Sequence, residues 1–196
     1  MYLVNPLYND HSISDEVHVN ITGWNFVYLP SYDVQETSYI TFRVKGPRDS
    51  HAALVSDKRT NYNTGNYYLF VIGGWGNQFC ALKKDGLYRQ FSIRSDRLTS
   101  GYLSDQEFRS FWISWADNNM SLGHGAEVGK SVIFSYNDQA APLAINHLAF
   151  GSYFDITNRY KYYNGKGLEI FPFFFLEHRF LFYWTMSQQG KRFFKL

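Results

Sequence analysis

Ile40-Thr41-Phe42-Arg43-Val44-Lys45-Gly46-Pro47 places Ile40, Phe42 and Val44 on one side of an extended chain and Thr41, Arg43 and Lys45 on the other. That period of two is the signature of a strand with one buried face, and the Gly-Pro pair then turns the chain. The same pattern recurs outward in both directions. Val17, Val19 and Ile21 alternate with His18, Asn20 and Thr22, and Gly23 ends the run. Phe111, Ile113 and Trp115 share a side opposite Trp112 and Ser114, and Val132, Phe134 and Tyr136 repeat the spacing. Tyr67 to Ile72 is apolar on both sides, as a central strand is, with Phe79, Ala81 and Lys83 as its antiparallel partner and Ala144 to Phe150 as a last strand. Ser104-Asp105-Gln106-Glu107 has the form of a capping box, but period two resumes so soon that at most one helical turn fits. These short strands separated by turn residues predict an all-β fold, an antiparallel β-sandwich of jelly-roll type.

Composition agrees with this. Aromatic residues make up 20% of the 196 residues, which suits a pleated sheet with large side chains on both faces. The length suits one domain, read here as residues 1–165, followed by an aromatic-rich tail over 166–196. In that tail Pro172, Glu177, His178 and Arg179 interrupt the apolar run, which argues against a membrane span. Cys80 is the only cysteine, so no intrachain disulfide forms, and the six histidines lack the spacing of a zinc site. The net charge of +2 is too mild for a nucleic-acid footprint, and the basic residues form no stripe along the sequence. Met1 to Pro6 lacks the pattern of a signal peptide, while Asn20-Ile21-Thr22 and Asn119-Met120-Ser121 match the N-glycosylation acceptor. The expectation is an extracellular module of a longer secreted protein.

Three segments invite a chemical reading. Gly123-His124-Gly125-Ala126-Glu127-Val128-Gly129-Lys130-Ser131 resembles a phosphate-binding loop, but His124 stands where the loop needs its first glycine, and a strand rather than a helix follows. Gly73-Gly74-Trp75-Gly76-Asn77 lacks dinucleotide-binding spacing and reads as a tight turn, with Gly74 expected at positive φ and Trp75 expected to plug the core. Asp49-Ser50-His51 sets suggestive side chains in sequence, yet adjacent strand residues point to opposite faces and cannot form a triad. No catalytic residue is assigned.

With Arg48-Asp49-Ser50-His51-Ala52-Ala53-Leu54, the GGWGN turn and Phe108-Arg109-Ser110-Phe111-Trp112-Ile113-Ser114-Trp115 followed by Gly123 and Gly125, the chain resembles the farnesoic acid O-methyltransferase domain family over about residues 38–151. The family name implies methyl transfer from S-adenosylmethionine to farnesoic acid. The family also resembles accessory modules of secreted animal proteins, which implies a recognition domain. No methyl-donor motif accompanies the resemblance, so the expectation is a non-enzymatic, lectin-like module without cofactor or metal. Its expected partner is a small ligand, a glycan or a protein, rather than nucleic acid or membrane. Asp49, His51, Trp75 and Asn77 are the candidate ligand-binding residues, pairing a flat aromatic with hydrogen-bonding groups. A purely structural domain is the remaining alternative.

Overall fold

A computed structural model describes residues 16–30, 32–59, 65–85 and 92–163. The aromatic tail lies outside the described residues. The described residues form twelve strands: β1 (Glu16–Thr22), β2 (Phe26–Tyr28), β3 (Tyr39–Lys45), β4 (Ser50–Val55), β5 (Tyr67–Gly73), β6 (Phe79–Lys84), β7 (Ser92–Arg94), β8 (Arg109–Ser114), β9 (Asn119–His124), β10 (Val132–Asn137), β11 (His147–Ser152) and β12 (Thr157–Tyr163). They make two antiparallel six-stranded sheets, β1-β12-β3-β8-β9-β10 and β2-β11-β4-β5-β6-β7. The predicted all-β sandwich of jelly-roll type is the observed architecture.

The core lies between the sheets. Ile40, Phe42, Val44, Phe111 and Ile113 of the first sheet meet Leu54, Phe70, Ile72, Leu82 and Phe150 of the second. Ile113 is fully buried, so Ile113→Val, which removes one methylene, should lower stability by about 0.5–1.5 kcal/mol in urea melts. Tyr160 fastens the layers together. From β12 its hydroxyl donates to the Gly151 carbonyl (2.5 Å), accepts from the His51 N–H (3.1 Å) and meets Ser50 Oγ (2.8 Å), while its ring stacks on Phe150.

β4 and β5 are buried on both faces. The outward side chains of the second sheet form a second apolar layer of Ala53, Val55, Tyr67, Leu69, Val71 and Ala81, against which Trp24, Phe26 and Tyr28 pack. The last apolar strand begins at His147 rather than Ala144. Leu143 and Ile145 still pack against the core, but this segment is held by other bonds, from the Leu143 N–H to the Tyr68 hydroxyl and from Gln35 to the Ile145 carbonyl. A register shift between Val132 and Phe134 leaves Val132 exposed while Phe134 is buried, so the expected common face is broken by a bulge. Ser104 caps only a turn, accepting from the Gln106 and Glu107 N–H groups.

Candidate functional site

At one end of the second sheet, Arg48, Asp49, His51, Val71, Trp75, Lys83 and Tyr153 enclose a recess of about 280 Å³. Two left-handed stretches of backbone shape it. The first is the corner entering β4, where Asp49 sits at φ 53. Its N–H donates to the Gly73 carbonyl (3.0 Å), and the carbonyls of Arg48 and Asp49 both accept from Asn158 Nδ2 (3.2 and 3.1 Å). Asn158 Nδ2 also reaches Ser152 Oγ (2.8 Å), so one buried amide ties the corner to β11 and β12.

The second stretch is the turn from β5 to β6, with Gly73, Trp75, Gly76 and Asn77 at φ 67, 50, 74 and 69. Gly74, expected at positive φ, is not among the left-handed residues, and a Cβ there would crowd Val71 at 3.0 Å instead. Trp75 is 43% exposed, which overturns the expectation of a core plug. Size argued for burial, but the left-handed turn swings the ring outward. The Arg94 guanidinium covers the indole at 3.9 Å from the ring centroid, and Phe79 meets it edge-on at 6.2 Å, a cation–π and T-shaped arrangement that holds the ring in place.

Asp49, His51 and Trp75 therefore share one recess. Asn77 is not in its lining. Its Oδ1 accepts from the Tyr102 and Leu103 N–H groups (3.1 and 2.8 Å) and its Nδ2 donates to the Leu103 carbonyl (2.9 Å), so it anchors the turn that presents Trp75. Arg48, Lys83 and Tyr153 line the recess without having been singled out from the sequence. Lys83 offered a signal, because it breaks the apolar side begun by Phe79 and Ala81, and a charge on an otherwise apolar sheet face marks either an edge or a site.

The electrostatics follow from burial. His51 is 1% exposed; desolvation, helped by the charge of Lys83, pulls its imidazole down to about 3, so it is neutral at physiological pH. Burial raises the Asp49 carboxyl above its ordinary value against the opposing pull of Arg48, whose guanidinium lies 2.8 Å away. Burial and the neighbouring Arg94 lower Lys83. The recess thus offers an aromatic face, one carboxylate paired to an arginine, a lysine and a neutral imidazole. Among the described residues no group of three or more His, Cys, Asp or Glu is placed to hold a metal ion.

The sequence model of the family described as "Farnesoic acid 0-methyl transferase" matches residues 21–166. No curated protein matches the chain. Among solved structures, a native glycosidic hydrolase is 12% identical with a TM-score of 0.42, the match covering 66% of this chain and 65% of the hydrolase. The chain thus spans slightly less than two thirds of that protein. The Bacillus licheniformis beta-glucanase is 9% identical with a TM-score of 0.46, over 77% of this chain and 79% of the glucanase. The Ruminococcus gnavus IT-sialidase CBM40 bound to alpha2,3 sialyllactose is 8% identical with a TM-score of 0.42, over 78% of this chain and 92% of that one.

Proposed function

The chain belongs to the farnesoic acid O-methyltransferase family, and from that premise we propose that it is a non-enzymatic binding module whose recess beside Trp75 seats a sugar-sized group. The backbone of Trp75 carries this reading. A bulky side chain at φ 50 costs on the order of 1–3 kcal/mol, and that strain is spent on holding an indole at the mouth of a recess rather than in the core. Arg94 covers one face of the ring, and with 43% of the residue exposed the indole keeps surface for a ligand to stack on. Asp49, Arg48 and Lys83 supply hydrogen bonds around it, and Asn77 acts as a positioning residue through the turn. A volume of about 280 Å³ falls just below the usual span of ligand pockets, roughly 300–1,000 Å³, which suits a small occupant. Acid–base catalysis wants a group titrating near the working pH, and His51, held near 3, is not such a group.

The family's name carries the second reading, methyl transfer from S-adenosylmethionine to a carboxylic acid. Calorimetry separates the two, since a transferase takes up its donor with measurable heat and a glycan-binding module does not. For the first reading, an oligosaccharide selected on a printed glycan array should bind the wild-type protein, and Trp75→Gly should weaken it at least tenfold, roughly 1.4 kcal/mol. The same variant relieves the left-handed strain and should melt within about 1 kcal/mol of wild type. An array without a binder, or a variant that binds unchanged, would sink this assignment.

A further inference from the structure

On the outer face of the other sheet, the strand register assembles a cluster of cations that the sequence disperses. β12 and β3 pair with Lys161 opposite Arg43 and Arg159 opposite Lys45, and β1 adds His18 opposite Lys161. Adjacent strands lie about 4.8 Å apart and alternate residues about 7 Å apart along a strand, so the four basic side chains spring from a compact two-by-two array. Like charges directly opposite each other destabilise a sheet, and here two such pairs stand side by side.

Glu16 is the carboxylate bonded into the array. It accepts from Arg43, Lys161 (3.2 Å) and His18 (2.9 Å), and with Arg43 foremost these partners hold its carboxyl down at about 2. One anion thus serves three donors on the array. Among the described residues Lys45 reaches a neutral oxygen, the Gln106 carbonyl at 2.8 Å, and Arg159 is exposed. Phe108 lies beneath Lys161 and Arg43, 4.8 and 6.0 Å from its ring centroid, and leads into a cleft of about 550 Å³ lined also by Arg109 and His124. Arg109 faces Glu107 at 3.5 Å.

We propose that this face of the β1-β12-β3 layer is a second binding site, independent of the Trp75 recess, for a linear sulfated polysaccharide. Closely spaced cations along a flat sheet match anions repeated along a polymer, and guanidinium and ammonium groups are the donors that sulfate oxygens accept from. Nucleic acid fits less well, because single strands need open aromatic platforms and Phe108 is already covered by cations. An anionic membrane would favour open apolar side chains flanking the charges, and here Phe108 is covered by Lys161 and Arg43 while Asn20 and Thr41 stand beside the array along the strands.

A size-defined heparin hexasaccharide, its desulfated counterpart, a single-stranded oligonucleotide and anionic vesicles are the probes for calorimetry on the whole chain. The sulfated hexasaccharide should bind, with affinity falling steeply as salt rises. The double variant Lys45→Gln/Arg159→Gln should bind it at least tenfold more weakly, with a shallower salt dependence, and should melt no lower than wild type because a like-charge pair has been removed. The same variant should leave binding at the Trp75 recess unchanged. Equal binding of the desulfated sugar, tighter binding of the oligonucleotide or the vesicles, or full retention of binding by the double variant would overturn the proposal.

Discussion

Asp138→Ala should lower the stability of the domain by about 3–5 kcal/mol at neutral pH, read as a shift in the urea midpoint. The carboxylate is 2% exposed, lies 2.7 Å from Lys84 Nζ and accepts the hydrogen of the Tyr68 hydroxyl. That hydroxyl in turn accepts from the Leu143 N–H (3.0 Å), while Lys84 also donates to the Ala141 carbonyl (2.5 Å). Truncation strands an ammonium that is only 12% exposed and a buried phenol that has lost its acceptor. Replacing both members of the ion pair together, as Asp138→Leu/Lys84→Met, should cost far less, since no lone charge is then left inside.

The acid dependence of this pair has a definite sign. Burial pushes the Asp138 carboxyl up, but the bonds from Lys84 and Tyr68 outweigh it and hold the group below its ordinary value. A carboxyl depressed in the folded state stabilises above its unfolded value, about 3.9, and that contribution fades as pH falls through the lower, folded value. The gap between wild type and Asp138→Ala should therefore narrow from about pH 4 downward. A gap that stayed constant between pH 7 and pH 2 would mean that the carboxylate's charge contributes nothing.

The strands were legible because alternation is local. Ile40, Phe42 and Val44 announce a buried side from eight residues of sequence, and each is buried between the sheets. The candidate site was legible only in part. Asp49, His51 and Trp75 converge because β4 pairs with β5, bringing His51 opposite Val71 while the turn after β5 returns over the sheet end. Lys83 and Tyr153 join them from β6 and from the residue after β11, and no spacing along the chain encodes that meeting. Size alone points Trp75 inward, whereas the left-handed turn of Gly73, Trp75, Gly76 and Asn77 swings it outward. The cationic array is the extreme case. Arg43 and Lys45 lie more than 110 residues from Arg159 and Lys161, so a search for basic runs passes over them, and only the register of β12 against β3 places them side by side.

A glycine in β9 supplies the second large effect. Gly123 in β9 pairs with Trp112 in β8, and a Cβ built on it would stand 2.2 Å from Cε2 and 2.3 Å from Cζ2 of the indole. The ring therefore lies flat on the glycine, where it is 1% exposed and its Nε1 donates to the Lys130 carbonyl (2.9 Å), pinning the hairpin between β9 and β10. An aromatic covering a cross-strand glycine restores the packing that the missing side chain forgoes. In Gly123→Ala the methyl and the ring cannot share that volume, so the indole must leave. Uncovering 150–250 Å² of aromatic surface at about 25 cal/mol per Å² gives roughly 4–6 kcal/mol as an upper figure. The expected loss is about 3–5 kcal/mol, a large share of the 5–15 kcal/mol that holds a typical domain together. In a Trp112→Ala background the same glycine substitution should cost almost nothing, because the clash it creates has already been removed. Urea melts of the two single variants and the double variant measure this coupling, and strictly additive losses would show that the indole does not depend on Gly123 for its place.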